Sequence, residues 1–357
     1  MTSYSIVDLK DKIQGYQKKD LIQRPTPFYK LENLSQVLDG PQIYIKREDL
    51  TGLAFGGNKS RKLEYIMQDI LDKGADVVVT WAALQSNWCL QTAAAAKRYG
   101  IKPILVLFKT YDLPEEYDGN LLLDFLLGAD IRIRNAEKGK IIREEEAEEL
   151  IADVISEVIQ QGLKPYFAPI GGSMVGGSMD VPLGAISYVD AYVEMIEQAT
   201  ELDVEVDYVL HASGSGGTQA GLTVGALAMG KKVRVIGISV SEDKKSYGER
   251  VWKISADTAE ALHLDVQTDL NDVSVLDEYL KEGYGIVNKE VSEAIRITAE
   301  NEGIFLDPVY TGKAMAALID LIKKGRFKKN DNVVFFHTGG TAALFPNKHN
   351  LIRLARS

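Results

Sequence analysis

Strand-like and helix-like segments alternate along these 357 residues, and this alternation limits the possible folds more than any other feature. Short apolar runs predict buried strands at 43–45, 77–80, 104–108, 207–210, 233–240 and 333–336. Helix-like runs lie between them, for example at 92–99 and in the run that ends at Met229. Such alternation is typical of an α/β fold with largely parallel sheets. The chain length favours two domains that share a cleft.

The composition excludes several classes of protein. A net charge of −10 and scattered, short basic clusters argue against a nucleic-acid partner or an anionic membrane surface. The single cysteine, Cys89, rules out an intrachain disulfide and fits a reducing compartment. Residues 1–19 lack the apolar core of a signal peptide, and apolar stretches such as 221–230 are too short to span a membrane. We therefore expect a soluble, cytoplasmic protein.

One lysine has an unusual sequence environment. Lys59 follows Gly56 and Gly57, whose backbones can turn tightly and approach a ligand closely, and it stands where an amphipathic helix begins. The positive potential at a helix N-terminus lowers the pKa of an ammonium group, and such an amine can form a Schiff base. The simpler interpretation, a surface lysine, leaves the two glycines unexplained.

A glycine-rich segment at 213–221 is the second strong signal. It follows a predicted strand and opens a helix, so its free N–H groups and the helix dipole predict an anion site. Gln219 stands where a dinucleotide fingerprint needs a small residue, and Leu222 stands where a Walker loop needs lysine. A monophosphate fits better, held by backbone amides and by the hydroxyls of Ser215 and Thr218. The alternative is a tight turn without a ligand.

A phosphate site combined with an activated lysine suggests pyridoxal 5′-phosphate as cofactor. The chain resembles the 1-aminocyclopropane-1-carboxylate (ACC) deaminase/D-cysteine desulfhydrase family of fold-type II, tryptophan synthase β-like pyridoxal-phosphate enzymes. The motifs that carry the resemblance occur in family order and span nearly the whole chain. They are RPTP at 24–27, KRED at 46–49, GGNKSRKLE at 56–64, QSN at 85–87, the glycine loop at 214–221 and DPVYTGK at 307–313.

The resemblance implies an architecture as well as a cofactor. We expect two α/β domains, each a largely parallel sheet flanked by helices, with the cofactor between them. Residues 1–57 and 167–357 are expected to form the large cofactor-binding domain, and residues 58–166 the small one. The resemblance also implies a homodimer and a small amino-acid substrate.

Roles for individual residues follow from the same resemblance. The implied catalytic residues are Lys59, Ser86, Tyr284 and Tyr310, and no metal site is expected. The implied cofactor-binding residues are Lys59, Asn58, Asn87, Gly214, Ser215, Gly216, Gly217, Thr218, Thr311 and Thr338. In the family, the asparagine contacts the phenolic oxygen of the cofactor, the serine meets the substrate carboxylate or moves a proton, and the tyrosines face the substrate. A hydroxyl at the position of Thr338 can bond to the pyridine nitrogen.

Taken alone, these residue types permit simpler interpretations. Ser86 could cap a helix and Asn87 could belong to a turn. Tyr284 and Tyr310 could be half-buried core residues, although a tyrosine with a lowered pKa could relay protons. Thr338 could close the start of a helix.

The activity depends on where this chain departs from its relatives. The ACC deaminases carry glutamate at the position of Thr311, whereas desulfhydrase-like members carry threonine. The resemblance therefore favours D-cysteine desulfhydrase, a lyase that releases pyruvate, ammonia and hydrogen sulfide by β-elimination. The alternatives are an ACC deaminase, a lyase for another β-substituted amino acid such as cysteate, and a non-catalytic protein that binds the cofactor.

Two further departures concern the substrate pocket. Many relatives have histidine at the position of Trp88 and arginine at that of Leu90, so the pocket is expected to be more apolar here. The segment 171–181 is longer than the compact form in relatives. These differences affect the choice of substrate more than the choice of cofactor. Cys89 is expected to be a packed helical residue.

Overall fold

The computed structural model describes residues 3–109, 117–137, 142–230, 232–280 and 283–356. Within these ranges the strands are β1 Phe28–Lys30, β2 Gln42–Lys46, β3 Val77–Ala83, β4 Lys102–Lys109, β5 Asp130–Asn135, β6 Pro165–Phe167, β7 Tyr208–Ser213, β8 Arg234–Ser239, β9 Ser274–Leu276 and β10 Asn332–Phe336. The helices are α1 Ile6–Gln14, α2 Glu32–Leu38, α3 Asn58–Asp72, α4 Asn87–Arg98, α5 Gly119–Leu126, α6 Glu144–Gln160, α7 Leu183–Glu201, α8 Gly217–Ala228, α9 Lys244–Ala261, α10 Lys289–Glu302, α11 Thr311–Lys323 and α12 Lys348–Ala355.

The described strands form two sheets. One has the order β1-β2-β10-β7-β8-β9, and only its β1–β2 pair is antiparallel. The other has the order β5-β4-β3-β6 and is parallel throughout. The predicted α/β class with largely parallel sheets is thereby confirmed. All strands of the second sheet come from residues 77–167, and the exact division into domains stays a prediction.

The sequence pattern identifies the inner strands better than the outer ones. Each apolar run predicted as a strand overlaps one of β2, β3, β4, β7, β8 and β10, with at least one end that differs by one residue or more. The strands that the pattern does not reveal, β1, β5, β6 and β9, all lie at sheet edges. An edge strand is short or half exposed, so it lacks the continuous apolar run of a strand buried on both faces.

One predicted helix begins earlier than expected. The helix predicted at 92–99 is α4, which starts at Asn87 because the side chain of Ser86 accepts hydrogen bonds from the N–H groups of Trp88 and Cys89. Such an N-cap satisfies donors that have no partner inside the helix. The early start brings Asn87 to the carboxyl end of β3.

Close helix packing holds the glycine loop in place. Helices α7 and α8 approach closely because α8 has glycine on the contact face: a Cβ at Gly221 would lie 2.2 Å from the carbonyl oxygen of Ala185. Among the helices in the described ranges, none is both long and apolar enough to cross a membrane.

Candidate active site

A cavity of about 730 Å³ opens where the carboxyl ends of β3, β7 and β10 meet the N-terminus of α3. This edge of parallel sheets is where α/β folds bind their ligands. Most residues singled out in the sequence line this cavity: Asn58, Lys59, Ser86, Asn87, Gly214, Ser215, Gly216, Thr218, Tyr284, Tyr310 and Thr338. The structure therefore brings together residues that are up to 280 positions apart. For example, the backbone N–H group of Asn58 donates a hydrogen bond of 3.0 Å to the carbonyl oxygen of Thr338.

Crowding explains the two glycines before Lys59. A Cβ at Gly56 would lie 1.8 Å from the carbonyl oxygen of Asp49, and one at Gly57 would lie 2.6 Å from Nε2 of Gln91. Both glycines also have positive φ, at 73° and 133°, which side chains rarely tolerate. The turn that carries Lys59 into the cavity therefore requires glycine at both positions.

The amine of Lys59 has little support from other polar groups. Its Nζ lies 3.5 Å from Oγ of Ser215, and no carboxylate in the described ranges forms an ion pair with it. Burial lowers the pKa of Lys59 to about 8. The sequence predicts a lowered pKa of Lys59 from its place at a helix N-terminus. In the structure the cause is instead the loss of hydration. About a tenth of the amine is thus neutral at pH 7, and about half at pH 8.

The rate at which the cofactor-free protein captures pyridoxal phosphate should follow this titration. Only the neutral amine attacks an aldehyde, so the rate is expected to rise about tenfold per pH unit below the pKa and to level off above about pH 8. Rapid-mixing absorbance of the cofactor-free protein measures this profile. A midpoint near the ordinary lysine value, about 10.4, would contradict it.

The glycine loop at the start of α8 has the geometry that could hold an anion. Gly216 has φ of 95°, and α8 begins at Gly217 without a side-chain cap, so its first N–H groups remain available. Nδ2 of Asn58 donates to Oγ1 of Thr218 at 3.1 Å, which joins the loop to the helix that carries Lys59. Gly217 does not line the cavity as its neighbours do, within the described residues.

A second lysine was missed by the sequence analysis. Lys62 lies one turn after Lys59, is fully buried, and its Nζ has no hydrogen-bond partner among the described residues. The Nζ lies 5.4 Å from the centre of the Tyr188 ring. Burial, and then the charge of Lys59, hold the pKa of Lys62 well below the usual range. The i, i+3 spacing of the two lysines was the signal that could have identified it.

Ser86 and Asn87 are fixed by local hydrogen bonds. The oxygen of Ser86 caps α4, as the simpler interpretation holds, and this leaves its hydroxyl hydrogen to be donated elsewhere. Oδ1 of Asn87 accepts from Nδ2 of Asn120 at 2.8 Å, which orients the amide and leaves Nδ2 of Asn87 as a donor. The side chain of Asn120 also donates to the carbonyl oxygen of Gln85, so Asn120 positions this loop.

The two predicted tyrosines form a pair. The hydroxyl groups of Tyr284 and Tyr310 are 2.5 Å apart, and their rings meet edge to face with centroids 6.0 Å apart. Burial, and then the neighbouring Tyr310, raise the pKa of Tyr284 well above its usual value. The lowered pKa considered in the sequence analysis is therefore not what the structure shows. A phenol whose pKa is raised keeps its proton at neutral pH, so this pair can act as a proton donor.

Thr311, predicted to bind the cofactor, lies away from the cavity surface. It is fully buried and does not line the cavity within the described ranges. Its Oγ1 donates to Oδ1 of Asp307 at 2.7 Å and accepts from the N–H of Asp307 at 2.8 Å. The hydroxyl is thus used inside the loop that precedes α11. Thr338, by contrast, does line the cavity.

Asp307 organises the loop that carries Tyr310. Its buried carboxylate accepts hydrogen bonds from the N–H groups of Val309, Tyr310 and Thr311 at 2.7–2.9 Å. These bonds fix the backbone from which the Tyr310 ring extends. A carboxylate ahead of a helix start is a typical N-terminal signal, and it could have been read from the sequence.

Apolar side chains form another wall of the cavity. Trp81 and Phe108 meet edge to face with centroids 6.1 Å apart, and both line the cavity. Trp88 also lines it, and its Nε1 donates to Oγ1 of Thr80 at 2.7 Å. Leu90 is buried elsewhere within the described part of the chain. Of the two departures near Asn87, only the indole therefore shapes the pocket.

The family model described as "Pyridoxal-phosphate dependent enzyme" matches residues 19–339. A D-cysteine desulfhydrase of Serratia proteamaculans is 38% identical over 342 residues, which cover 95% of this chain and 98% of that protein. A protein of Pyrococcus furiosus, named provisionally as a 1-aminocyclopropane-1-carboxylate deaminase, is 38% identical over 336 residues, with coverage of 93% and 94%. The crystal structure of an ACC deaminase homologue superposes with a TM-score of 0.86 at 36% identity, over 97% of this chain and 99% of that one.

Proposed function

This chain belongs to the pyridoxal-phosphate dependent enzymes, and we propose that within them it is a D-cysteine desulfhydrase. It is a pyridoxal-phosphate-dependent lyase of the ACC deaminase/D-cysteine desulfhydrase family, with the fold-type II architecture that the sequence predicts. The reaction that we propose converts D-cysteine and water into pyruvate, ammonia and hydrogen sulfide. The location and surroundings of Thr311 carry this choice of substrate.

The residues present fit the cofactor. The uncapped start of α8 offers N–H donors to a phosphate, and the buried, unpartnered Nζ of Lys62 has no countercharge among the described residues. We propose that the loop from Gly214 to Thr218 holds the phosphate, that Lys59 binds the aldehyde, and that Asn58, Asn87 and Thr338 hold the ring. Lys62 is buried and is not among the described residues that line the cavity, and we propose that it supplies the positive charge that balances the phosphate. When bound, pyridoxal phosphate supplies an electron sink for the negative charge that develops at the α-carbon.

The protein side chains would move the protons of the elimination. The neutral amine of Lys59 can take the α-proton, because burial lowers its pKa and so leaves part of it unprotonated near neutral pH. Ser86 can donate its hydroxyl hydrogen to the substrate carboxylate, since its oxygen is held by the α4 cap. The Tyr284–Tyr310 pair can donate a proton to the sulfur that leaves. Thiolate is a good leaving group, so a neutral phenol suffices for this step.

The loop before α11 supports desulfhydration over opening of a cyclopropane ring. Substrates such as ACC have no α-hydrogen, so the lysine needs a further acid or base to open the ring. The glutamate that the resembling deaminases carry is replaced here by Thr311, whose hydroxyl bonds to Asp307 and lies outside the cavity lining. Asp307 itself is occupied by three backbone N–H groups. This loop therefore offers Tyr310 and no carboxylate that is free to act on a substrate.

A substrate panel tests the proposal. The 2-oxo acid released from D-cysteine, L-cysteine, cysteate, β-chloro-D-alanine and ACC would be measured with the purified enzyme. We expect kcat/KM for D-cysteine to exceed that for ACC by about 10²-fold or more, because one site cannot serve both chemistries equally without the glutamate. Faster turnover of ACC or of cysteate would overturn the proposal. Release of no 2-oxo acid from any of them, with the cofactor bound, would favour a non-catalytic role.

Two wider expectations accompany this function. The homodimer implied by the resemblance and the cytoplasmic location expected from the composition stay predictions. The sedimentation mass of the purified protein, compared with the 39.4 kDa of one chain, and fractionation of the cells that produce it would check them.

A further inference from the structure

A buried hydroxyl that none of the recognised motifs includes lies next to Ser215, one of the residues that line the cavity. Ser173 belongs to the long glycine-rich segment after β6 and is fully buried. Its Oγ lies 2.8 Å from Oγ of Ser215 and 3.3 Å from the carbonyl oxygen of Gly171. Oγ of Ser215 lies 3.5 Å from Nζ of Lys59. Lys59, Ser215, Ser173 and the Gly171 carbonyl thus form a continuous hydrogen-bonded chain.

The hydrogens of this chain can be arranged in two ways. An ammonium group can only donate, so with Lys59 protonated the direction is Lys59 to Ser215, Ser215 to Ser173, and Ser173 to the Gly171 carbonyl. When Lys59 is neutral, its lone pair accepts from Ser215, and Ser173 then donates to Ser215. In both arrangements each hydroxyl donates one hydrogen bond within the chain, and only the Gly171 carbonyl loses its donor when Lys59 is neutral. Both protonation states of Lys59 are therefore supported without movement of heavy atoms.

Two glycines keep the room that this chain occupies. A Cβ at Gly171, which has φ of 68°, would lie 2.4 Å from Oγ of Ser215 and 2.9 Å from Nζ of Lys59. A Cβ at Gly217 would lie 2.6 Å from Oγ of Ser173. These residues come from two loops that are far apart in sequence. At each of these positions, a side chain larger than that of glycine would collide with an atom of the same hydrogen-bonded chain.

We propose that Ser173 is a positioning residue for the lysine that carries the cofactor. Through Ser215 it holds the amine of Lys59 and lets that amine change its protonation state while every hydroxyl stays hydrogen bonded. Because burial leaves the pKa of Lys59 at about 8, both states are populated under ordinary conditions, and a chain that suits both has a use. The inference rests on Lys59 as the cofactor lysine and does not depend on which amino acid is the substrate.

The experiment uses the pH profile of cofactor capture by the cofactor-free protein. In Ser173→Ala, the hydroxyl of Ser215 loses its acceptor and turns towards Lys59, where it favours the neutral amine. We expect the midpoint of the profile to fall by about half a pH unit or more, and cofactor to dissociate several-fold faster. The matched control is Ser255→Ala, which removes a fully buried hydroxyl that bonds only within α9, at 2.8 Å to the Val251 carbonyl.

A second comparison separates positioning from a general loss of structure. In Ser215→Ala the chain is cut next to Lys59, so adding Ser173→Ala should change the midpoint no further. Ser173→Cys, which keeps a weak donor of similar size, should restore part of the wild-type profile and serves if the alanine variant does not fold. An unchanged midpoint in folded Ser173→Ala, or equal and additive effects of the two alanine variants, would overturn the inference. Failure of the substrate panel would leave these outcomes untouched, because capture requires no substrate.

Discussion

Lys59→Ala is expected to abolish elimination, with kcat/KM for the best substrate lower by about 10⁴-fold or more. The substitution removes both the amine that binds the aldehyde and the base that takes the α-proton. Lys62 lies one turn away but is fully buried and does not line the cavity within the described ranges. The visible absorbance of the lysine-bound cofactor should be lost together with the release of 2-oxo acid.

Two variants make this test specific. Lys59→Arg keeps a positive charge but supplies a guanidinium that is neither a nucleophile nor a base at neutral pH, so it should fail like alanine. Lys73→Ala alters the residue at the C-terminal end of the same helix. The Nζ of Lys73 forms an ion pair with Asp180 at 2.8 Å, and Lys73 is not among the described residues that line the cavity. It should retain activity and the visible band. A Lys59→Ala protein that still shows the band would exclude Lys59 as the cofactor lysine.

The sequence predicts the site best where a short motif carries both the backbone and the chemistry. The two glycines before Lys59 and the loop at 213–221 could be read because tight turns and helix starts are local features. The direction of the shift in the pKa of Lys59 was also predictable. Its cause was not, because burial depends on residues such as Ser215 that are distant in sequence.

Contacts between distant segments account for what the sequence does not reveal. Nothing in the spacing of residues 171–173 indicates that the hydroxyl of Ser173 contacts that of Ser215. The raised pKa of Tyr284 likewise depends on its burial and on the hydroxyl of Tyr310, 26 positions away. Thr311 was placed with the cofactor by resemblance, yet its hydroxyl bonds to Asp307. In each case tertiary packing determines the role of a side chain whose type alone permits several.

The helix that carries Lys59 is anchored by a buried ionic cluster. Arg61 is fully buried, and its guanidinium donates to both carboxylate oxygens of Glu48 at 2.7 and 2.8 Å. It also donates to both oxygens of Glu194 in α7, at 3.0 and 3.1 Å. Burial raises the pKa of Glu48, but the charge and hydrogen bonds of Arg61, together with the charge of Lys46, outweigh this and hold that pKa below its usual value. The hydroxyl of Tyr188 donates to Glu48 at 2.9 Å and completes the cluster.

Arg61→Met is therefore expected to lower the free energy of unfolding by about 3–5 kcal/mol, because it leaves the Glu48 carboxylate buried without its partner. Urea unfolding followed by far-UV circular dichroism measures the change. Arg132→Met provides the matched control: Arg132 pairs with Glu157 at a partly exposed site, where an ion pair contributes about 1 kcal/mol or less. Glu48→Gln combined with Arg61→Met should recover part of the loss, because the uncompensated charge is then removed. If Arg61→Met were no more costly than the control, the cluster would not be what holds α3. Since Arg61 is only two residues after Lys59, a loss of this size should also weaken cofactor binding, whereas the control should leave it intact.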